Sequence, residues 1–265
     1  MSNWYNLSGR PLSSLSWLEA HHLAKLPERT NFAKLILERR PKRIVDLGCG
    51  SGIWLDLFNQ YAELDCEFIG LDTDQHSISA AESRASSWSR KTSFRQVNIE
   101  DADSLPDADI YLVFNIFPYV KDSHRFLEML RQKIRPCGAV VVRQYDGALL
   151  RFGPIDHRHR QSIDLSLHTS LSRSEQFRHY DIDRTFEALA TSGFSKKNID
   201  FEVYKRTSPY PSEFVTYLKN TIEWTGSYIS NEASELLRNW YEQHRENNFS
   251  SPSYFTEFDL IAWLS

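Results

Sequence analysis

VDLGCGSGIW, residues 45–54, sets glycines at positions 48, 50 and 52 behind the acid Asp46. A short apolar run, RIVDLG, leads into it, and a helix-like run, GIWLDLFNQYA, follows. This is the pattern of a strand, a tight turn and a helix. Glycine permits unusual backbone angles and a close backbone approach to a ligand. In an open parallel sheet, ligands bind beyond the carboxyl ends of the strands, where the strand order reverses. Amides at the start of the following helix can then bind an anionic group. The next apolar run, EFIGLD, ends in Asp72, a carboxylate able to accept both hydroxyls of a ribose. A nucleoside-containing cofactor is the first inference.

Outward from this turn, short apolar strands alternate with helices. QHSISAAESRASSWSR reads as a helix, SFRQVNI and DIYLVFNIF as strands, SHRFLEMLRQKI as a helix ended by Pro136, and GAVVVRQYD as a strand. Such alternation predicts a parallel sheet covered on both faces, with right-handed crossovers. Residues 13–39 predict two helices broken at Pro27. Residues 148–180 hold five arginines and four of the nine histidines with few long apolar runs, and read as a partly mobile connection. Beyond them come a helix at DIDRTFEALATSGF, a strand at NIDFEVYKRT, two helices divided near Gly226, and a closing strand, SYFTEFDLIAWL. No internal repeat or low-complexity tract is present.

Position 53 is Ile53, so the dinucleotide spacing G-x-G-x-x-G fails; the spacing is D-x-G-x-G-x-G. This resembles motif I of the class I S-adenosyl-L-methionine (SAM)-dependent methyltransferases. GLDTD, QVNIED, DIYLVFNIFPYV and RPCGAVVVRQYD are similar to the later segments of that superfamily, in order. The resemblance covers residues 41–146 well and 181–206 loosely. It implies an α/β fold: a doubly wound, seven-stranded, mostly parallel Rossmann-like sheet of order 3-2-1-4-5-7-6, with strand seven antiparallel. It also implies the cofactor. Asp46 would hold the glycine loop and the methionine amino group, and Gly48, Cys49 and Gly50 would pass beside the methionine portion. Asp72 would grip the ribose, with Thr73 beside the adenine. Asn98, Ile99 or Glu100 would meet the adenine edge, where the superfamily more often has Asp and where Asp101 also lies near. Phe114 and Asn115 would line the floor below the sulfonium. The plain alternative for the glycines is a strand-to-helix turn, which does not require an acid at 72.

Methyl transfer needs in-line placement and exclusion of water, and a base only if the acceptor carries a proton. Tyr119, Tyr145 and Asp146 lie near the strand ends as candidates. NIFPY, residues 115–119, invites comparison with the NPPY element of amino-group methyltransferases but fails it at Ile116 and Phe117. Asn115 and Tyr119 are either pocket lining or packing. In DHRHR, residues 156–160, His157 is a candidate base and Arg158 a candidate contact to an anionic substrate; a solvated loop is the bland reading. Two histidines without a completing carboxylate set argue against a metal site. Residues 207–249 separate the last two strands and carry Tyr210, Phe214, Tyr217, Trp224, Tyr228, Trp240, Tyr241 and Phe249. Trp224 and Tyr228 are candidates to roof an acceptor pocket, while most of the other rings would glue the insertion to the sheet. Trp4, Tyr5 and Trp17 could close the cofactor side.

Composition bounds these readings. The 265 residues are 41% hydrophobic and 25% charged, with net charge -4, which gives no basic excess for a nucleic-acid partner. No run suits a membrane span or a secretory signal. Cys49, Cys66 and Cys137 form no CxxC pair and read as reduced thiols in a cytoplasmic protein. The expected organisation is N-terminal cap helices over 1–40, a SAM-binding core over 41–206, a helical lid over 207–250 and the final strand over 251–265. The leading expectation is a methyltransferase acting on oxygen or nitrogen of a small molecule. The rivals are an RNA or protein methyltransferase, favoured by the basic stretch 148–180, and a SAM-binding protein without transfer activity. Oligomeric state is not readable.

Overall fold

The computed structural model describes residues 14–174, 180, 182–245 and 252–265. Trp4, Tyr5 and Phe249 lie outside the described residues. Helices α1 (Leu15–Ala24) and α2 (Leu26–Leu37) precede the sheet, with Pro27 in the first turn of α2. Proline fits there because its missing N–H would have no partner in the helix. Ser14 caps α1 by accepting the Trp17 N–H at 3.2 Å.

The alternating section follows as β1 (Arg43–Leu47), α3 (Ile53–Asn59), β2 (Glu67–Asp72), α4 (Gln75–Ala85), β3 (Thr92–Gln96), β4 (Ala108–Phe114), α5 (Ser123–Lys133) and β5 (Ile134–Tyr145). Strands β1 to β5 pair in parallel in the order β3-β2-β1-β4-β5. The switch between β1 and β4 places a crevice at their carboxyl ends. Successive residues of each central strand enter opposite cores. Val45, Val113 and Val142 pack under α5, while Ile44, Leu112 and Val141 pack with Phe32, Ile36 and Leu55. Both faces are therefore apolar, which is why these strands read as continuous hydrophobic runs.

The remaining elements are β6 (Arg151–Gly153), α6 (His157–Arg173), α7 (Ile182–Ala190), β7 (Lys197–Thr207), α8 (Ser212–Gly226), α9 (Asn231–His244) and β8 (Tyr254–Leu264). β8 runs antiparallel between β5 and the edge strand β7, giving the expected order and the expected reversed strand. Two features differ from the sequence expectation. The sheet has an eighth strand, β6, which pairs with the start of β8. The stretch around residues 148–180 also carries a 17-residue helix, α6, where a mobile connection was expected. Asp156 caps α6 through the Arg158 and His159 amides, and Ile163, Leu167 and Ser170 give it one buried stripe. Three inward residues among many charges are a weak sequence signal; the partner core on α8 and α9 supplies the rest. Among the described residues, no helix is long and apolar enough to cross a membrane.

Candidate active site

The turn after β1 is bent as its glycines predict. Gly48, Gly50 and Gly52 all take positive φ, of 70°, 53° and 73°. A Cβ on Gly48 would stand 2.5 Å from Ile116 Cγ2, so a side chain there would collide with the loop after β4. Gly48 and Cys49 both donate their amides to the Leu71 carbonyl, at 2.7 and 3.0 Å. Asp72 completes the cradle: Oδ2 accepts the Gly50 N–H at 2.8 Å, and Oδ1 accepts the Asp74 N–H at 2.9 Å. Each oxygen retains a further lone pair for a ligand hydroxyl. Burial outweighs these amides and raises the Asp72 pKa. Asp46, one strand over, is buried, and its Oδ2 has no hydrogen-bond partner among the described residues. Burial, and then the Asp72 charge, push its carboxyl well above the usual range.

One cavity opens from this cradle. Gly48, Cys49, Gly50, Asp72, Thr73, Asn98, Ile99 and Glu100 line it on the β1-β2-β3 side, and Phe114, Asn115, Tyr119 and Tyr145 on the β4-β5 side. Asn115 takes φ 58° and its side-chain oxygen accepts the Tyr145 N–H at 3.0 Å, which locks the ends of β4 and β5 together. Glu100 accepts the Lys121 N–H at 2.9 Å and so ties the third loop to the entry of α5. Tyr119 sits on a short turn, its hydroxyl 3.1 Å from that of Tyr180. Trp224, from α8, packs 5.0 Å from Tyr180 and 6.5 Å from Tyr145. Burial raises the Tyr145 and Tyr180 pKa values well above the ordinary phenol value, so both present O–H donors at neutral pH.

Other expected residues lie elsewhere. His157 and Arg158 occupy the exposed first turn of α6, outside the cavity lining, because Asp156 starts a helix there. Asp46 lies behind the glycine turn and Tyr228 behind Trp224, 5.0 Å from its ring; neither lines the cavity. Tyr210, Phe214, Tyr217, Trp240 and Tyr241 belong to the core beneath α8 and α9. Among the described residues no group of three or more metal-ligating side chains is assembled.

The sequence reading missed α1 and α2 as carriers of polar groups. Trp17, His21 and Arg29 line the same cavity. Arg84 ties α1 to the glycine turn: it donates to the Ser51 carbonyl and to Glu19, each at 2.9 Å. Arg29 is buried against Trp54, donates to His22 Nδ1 at 2.9 Å and has no salt bridge among the described residues. Burial and then the nearby Arg143 charge lower its pKa to about 10. Beneath α1 lies a buried ionic cluster. Lys25 meets Glu257 at 2.9 Å and Asp259 at 3.7 Å, Arg143 meets Asp259 at 2.6 Å, and Tyr217 donates to Glu257. The available signal was the run of His21, His22, Lys25 and Arg29 among apolar helical positions, together with acids at alternate positions 257 and 259 of an otherwise apolar strand.

Residues 17–200 match the family model described as a methyltransferase domain. The chain belongs to that family. The chain is 30% identical over 100 residues to a ubiquinone biosynthesis O-methyltransferase of Rhodopseudomonas palustris (strain TIE-1), covering 38% of each protein. The corresponding protein of strain BisA53 is 26% identical over 149 residues, 53% of this chain and 56% of that one. The chain thus spans less than two thirds of the curated relatives it matches. Among solved structures, YcgJ from Bacillus subtilis superposes with TM-score 0.53 at 15% identity, over 90% of this chain and 98% of that one. This likeness is one of fold.

The family's cofactor is SAM, and the residues that line the cavity of this chain fit it. The positive-φ turn carries no β-carbon at positions 48, 50 and 52, Asp72 keeps two acceptor positions, and Arg29 offers a cavity-lining guanidinium that lacks a salt bridge among the described residues.

Proposed function

We propose that the protein transfers a methyl group from SAM to a small organic acceptor, at a hydroxyl oxygen in preference to a nitrogen. One observation carries this reading: a single cavity joins the Asp72–Gly50 cradle to a wall of aromatic rings from β5, α8 and Tyr180. The cofactor supplies a methyl on positively charged sulfur, which needs little further polarisation. Asp72 grips the ribose. Arg29 takes the methionine carboxylate, so its buried charge gains a partner. Phe114 and Asn115 form the floor, and Thr73, Asn98, Ile99 and Glu100 surround the base. Tyr119, Tyr145, Tyr180 and Trp224 exclude water and orient the acceptor. The curated relatives are O-methyltransferases, which supports oxygen over nitrogen.

The test is transfer of label from [methyl-³H]SAM by the purified protein to a metabolite extract, fractionated by mass. Label in low-mass products that survive mild acid supports the reading. Label only in RNA or protein, or SAM bound without transfer to anything, counts against it.

A further inference from the structure

We propose that His21 is the catalytic base for a neutral aromatic acceptor, a phenol held against Tyr145 and Trp224. This rests on the methyl-transfer reading above and names its acceptor class and base.

The imidazole of His21 is 3% exposed and lines the cavity, and its Nε2 has no hydrogen-bond partner among the described residues. A buried polar atom without a partner is costly, and a native site retains one where a ligand will engage it. One helical turn before it, Trp17 lines the same cavity, and its Nε1 donor is also buried and unpartnered among the described residues. The ring is held firmly. It lies on Tyr217 with centroids 4.9 Å apart and planes at 12°, and edge-on to Trp17 at 5.2 Å and Tyr145 at 6.1 Å.

The charges around the ring select the acceptor. The acids that line the cavity, Asp72 and Glu100, come from the β2 and β3 loops on the cofactor side, so an ammonium acceptor finds no counter-charge beside His21. Lys25 and Arg143, whose charges reach the imidazole, are paired with Glu257, Asp259 and Glu202, and Arg29 is taken up by the methionine carboxylate in the proposed complex, so no free charge of either sign is left beside the ring. Burial, and then the Lys25 and Arg29 charges, keep the ring unprotonated, so it can take a proton, and a site with no free carboxylate suits a neutral hydroxyl over an ammonium. The flanking rings offer flat apolar faces for an aromatic ring. In the reaction, the acceptor oxygen forms a bond to the methyl carbon. The methyl–sulfur bond breaks with its electron pair left on sulfur, and the hydroxyl proton passes to the His21 imidazole, then to water.

The test uses the full chain, SAM, and a panel of substituted phenols and catechols with matched anilines, benzylamines and benzoates. His21→Phe keeps the stacked ring; His21→Gln keeps a hydrogen-bonding group. SAM affinity, read by calorimetry, should stay within about threefold in both variants. With un-ionised phenols both should lose about 100-fold or more in kcat/KM. With a nitrophenol already ionised at the assay pH of 8, the loss should shrink to a few-fold, because no proton remains to be taken. Equal losses for both kinds of phenol, or full activity in His21→Gln, would overturn the base assignment. Methylation of the amines alone, or of none of the panel while SAM binds, would overturn the acceptor class. Failure to bind SAM at all would instead sink the methyl-transfer reading.

Discussion

The Gly50 amide donates to Asp72 Oδ2 at 2.8 Å, so the turn that makes room for a cofactor and the acid that would hold its ribose are bonded to each other. Asp72 has two tasks: it sets the shape of the turn and it presents acceptors beyond it. Asp72→Ala should therefore lower SAM affinity by about 100-fold or more, as two charge-assisted bonds are lost at about 1.5–3 kcal/mol each. It should also lower the melting temperature of the cofactor-free protein. Calorimetry and thermal melting read the two effects separately; unchanged affinity in a folded variant would refute the ribose assignment.

Asp46 carries a raised pKa in the fold, so its ionisation opposes folding, and stability is lost as pH rises from the unfolded value toward the folded one. At pH 8 the wild type bears more of that cost than at pH 4. Asp46→Asn should raise the melting temperature of the cofactor-free protein at pH 8, with the gain shrinking toward pH 4. A gain independent of pH would mean that packing, not ionisation, is responsible.

His22 accepts from Arg29 at 2.9 Å, which requires a neutral ring. Burial, followed by the Arg29 and Arg84 charges, lowers its pKa to about 3. The unfolded chain takes up the proton first, so this residue's contribution is complete above about pH 6.5 and declines as pH falls toward 3. The melting-temperature advantage of wild type over His22→Gln should shrink between pH 7 and pH 5. A constant difference would show that the ring titrates alike in both states.

Lys25 links α1 to β8 through Glu257 and Asp259. Burial pushes Asp259 up, but Lys25 and Arg143 outweigh it and hold its carboxyl below the usual range. Lys25→Met leaves a buried carboxylate short of a counter-charge and should destabilise by about 3–5 kcal/mol in urea denaturation. Adding Glu257→Gln should recover part of that loss. If the double variant is no better than the single, the two residues are not coupled.

A Cβ on Gly147 would meet Tyr180 Cβ at 2.9 Å, the Tyr145 hydroxyl at 3.0 Å and the Trp224 ring at 3.1 Å. Gly147→Ala crowds the aromatic wall, and Trp224→Ala opens it. Both should reduce acceptor turnover by about 10-fold or more while SAM affinity moves less than threefold, as seen in steady-state kinetics beside calorimetry. Parallel loss of both quantities would assign the wall to overall stability instead.

The doubly wound sheet was legible in residues 43–145 because local rules write it there. Central strands buried on both faces are largely apolar, and a turn with positive φ at three alternate positions strongly favours glycine. The Asp72–Gly50 cradle shares that legibility, since Gly50 follows β1 and Asp72 ends β2, adjacent strands whose order the pattern implies. Of the side proposed for the acceptor, Tyr119, Tyr145 and Trp224 were read from the sequence and do line the cavity, but the part that α1 contributes was not legible. His21 and Tyr145 lie far apart in the chain, and only the docking of α1 over the sheet sets their rings 6.1 Å apart. His157 read as near the site because it follows β5, yet Asp156 starts a helix there whose first turn faces solvent. Sequence determines what local geometry and periodic burial require. Which polar side chains share a cavity depends on long-range packing, and here that is the Lys25–Glu257 and Tyr217–His21 contacts between elements that local pattern does not relate.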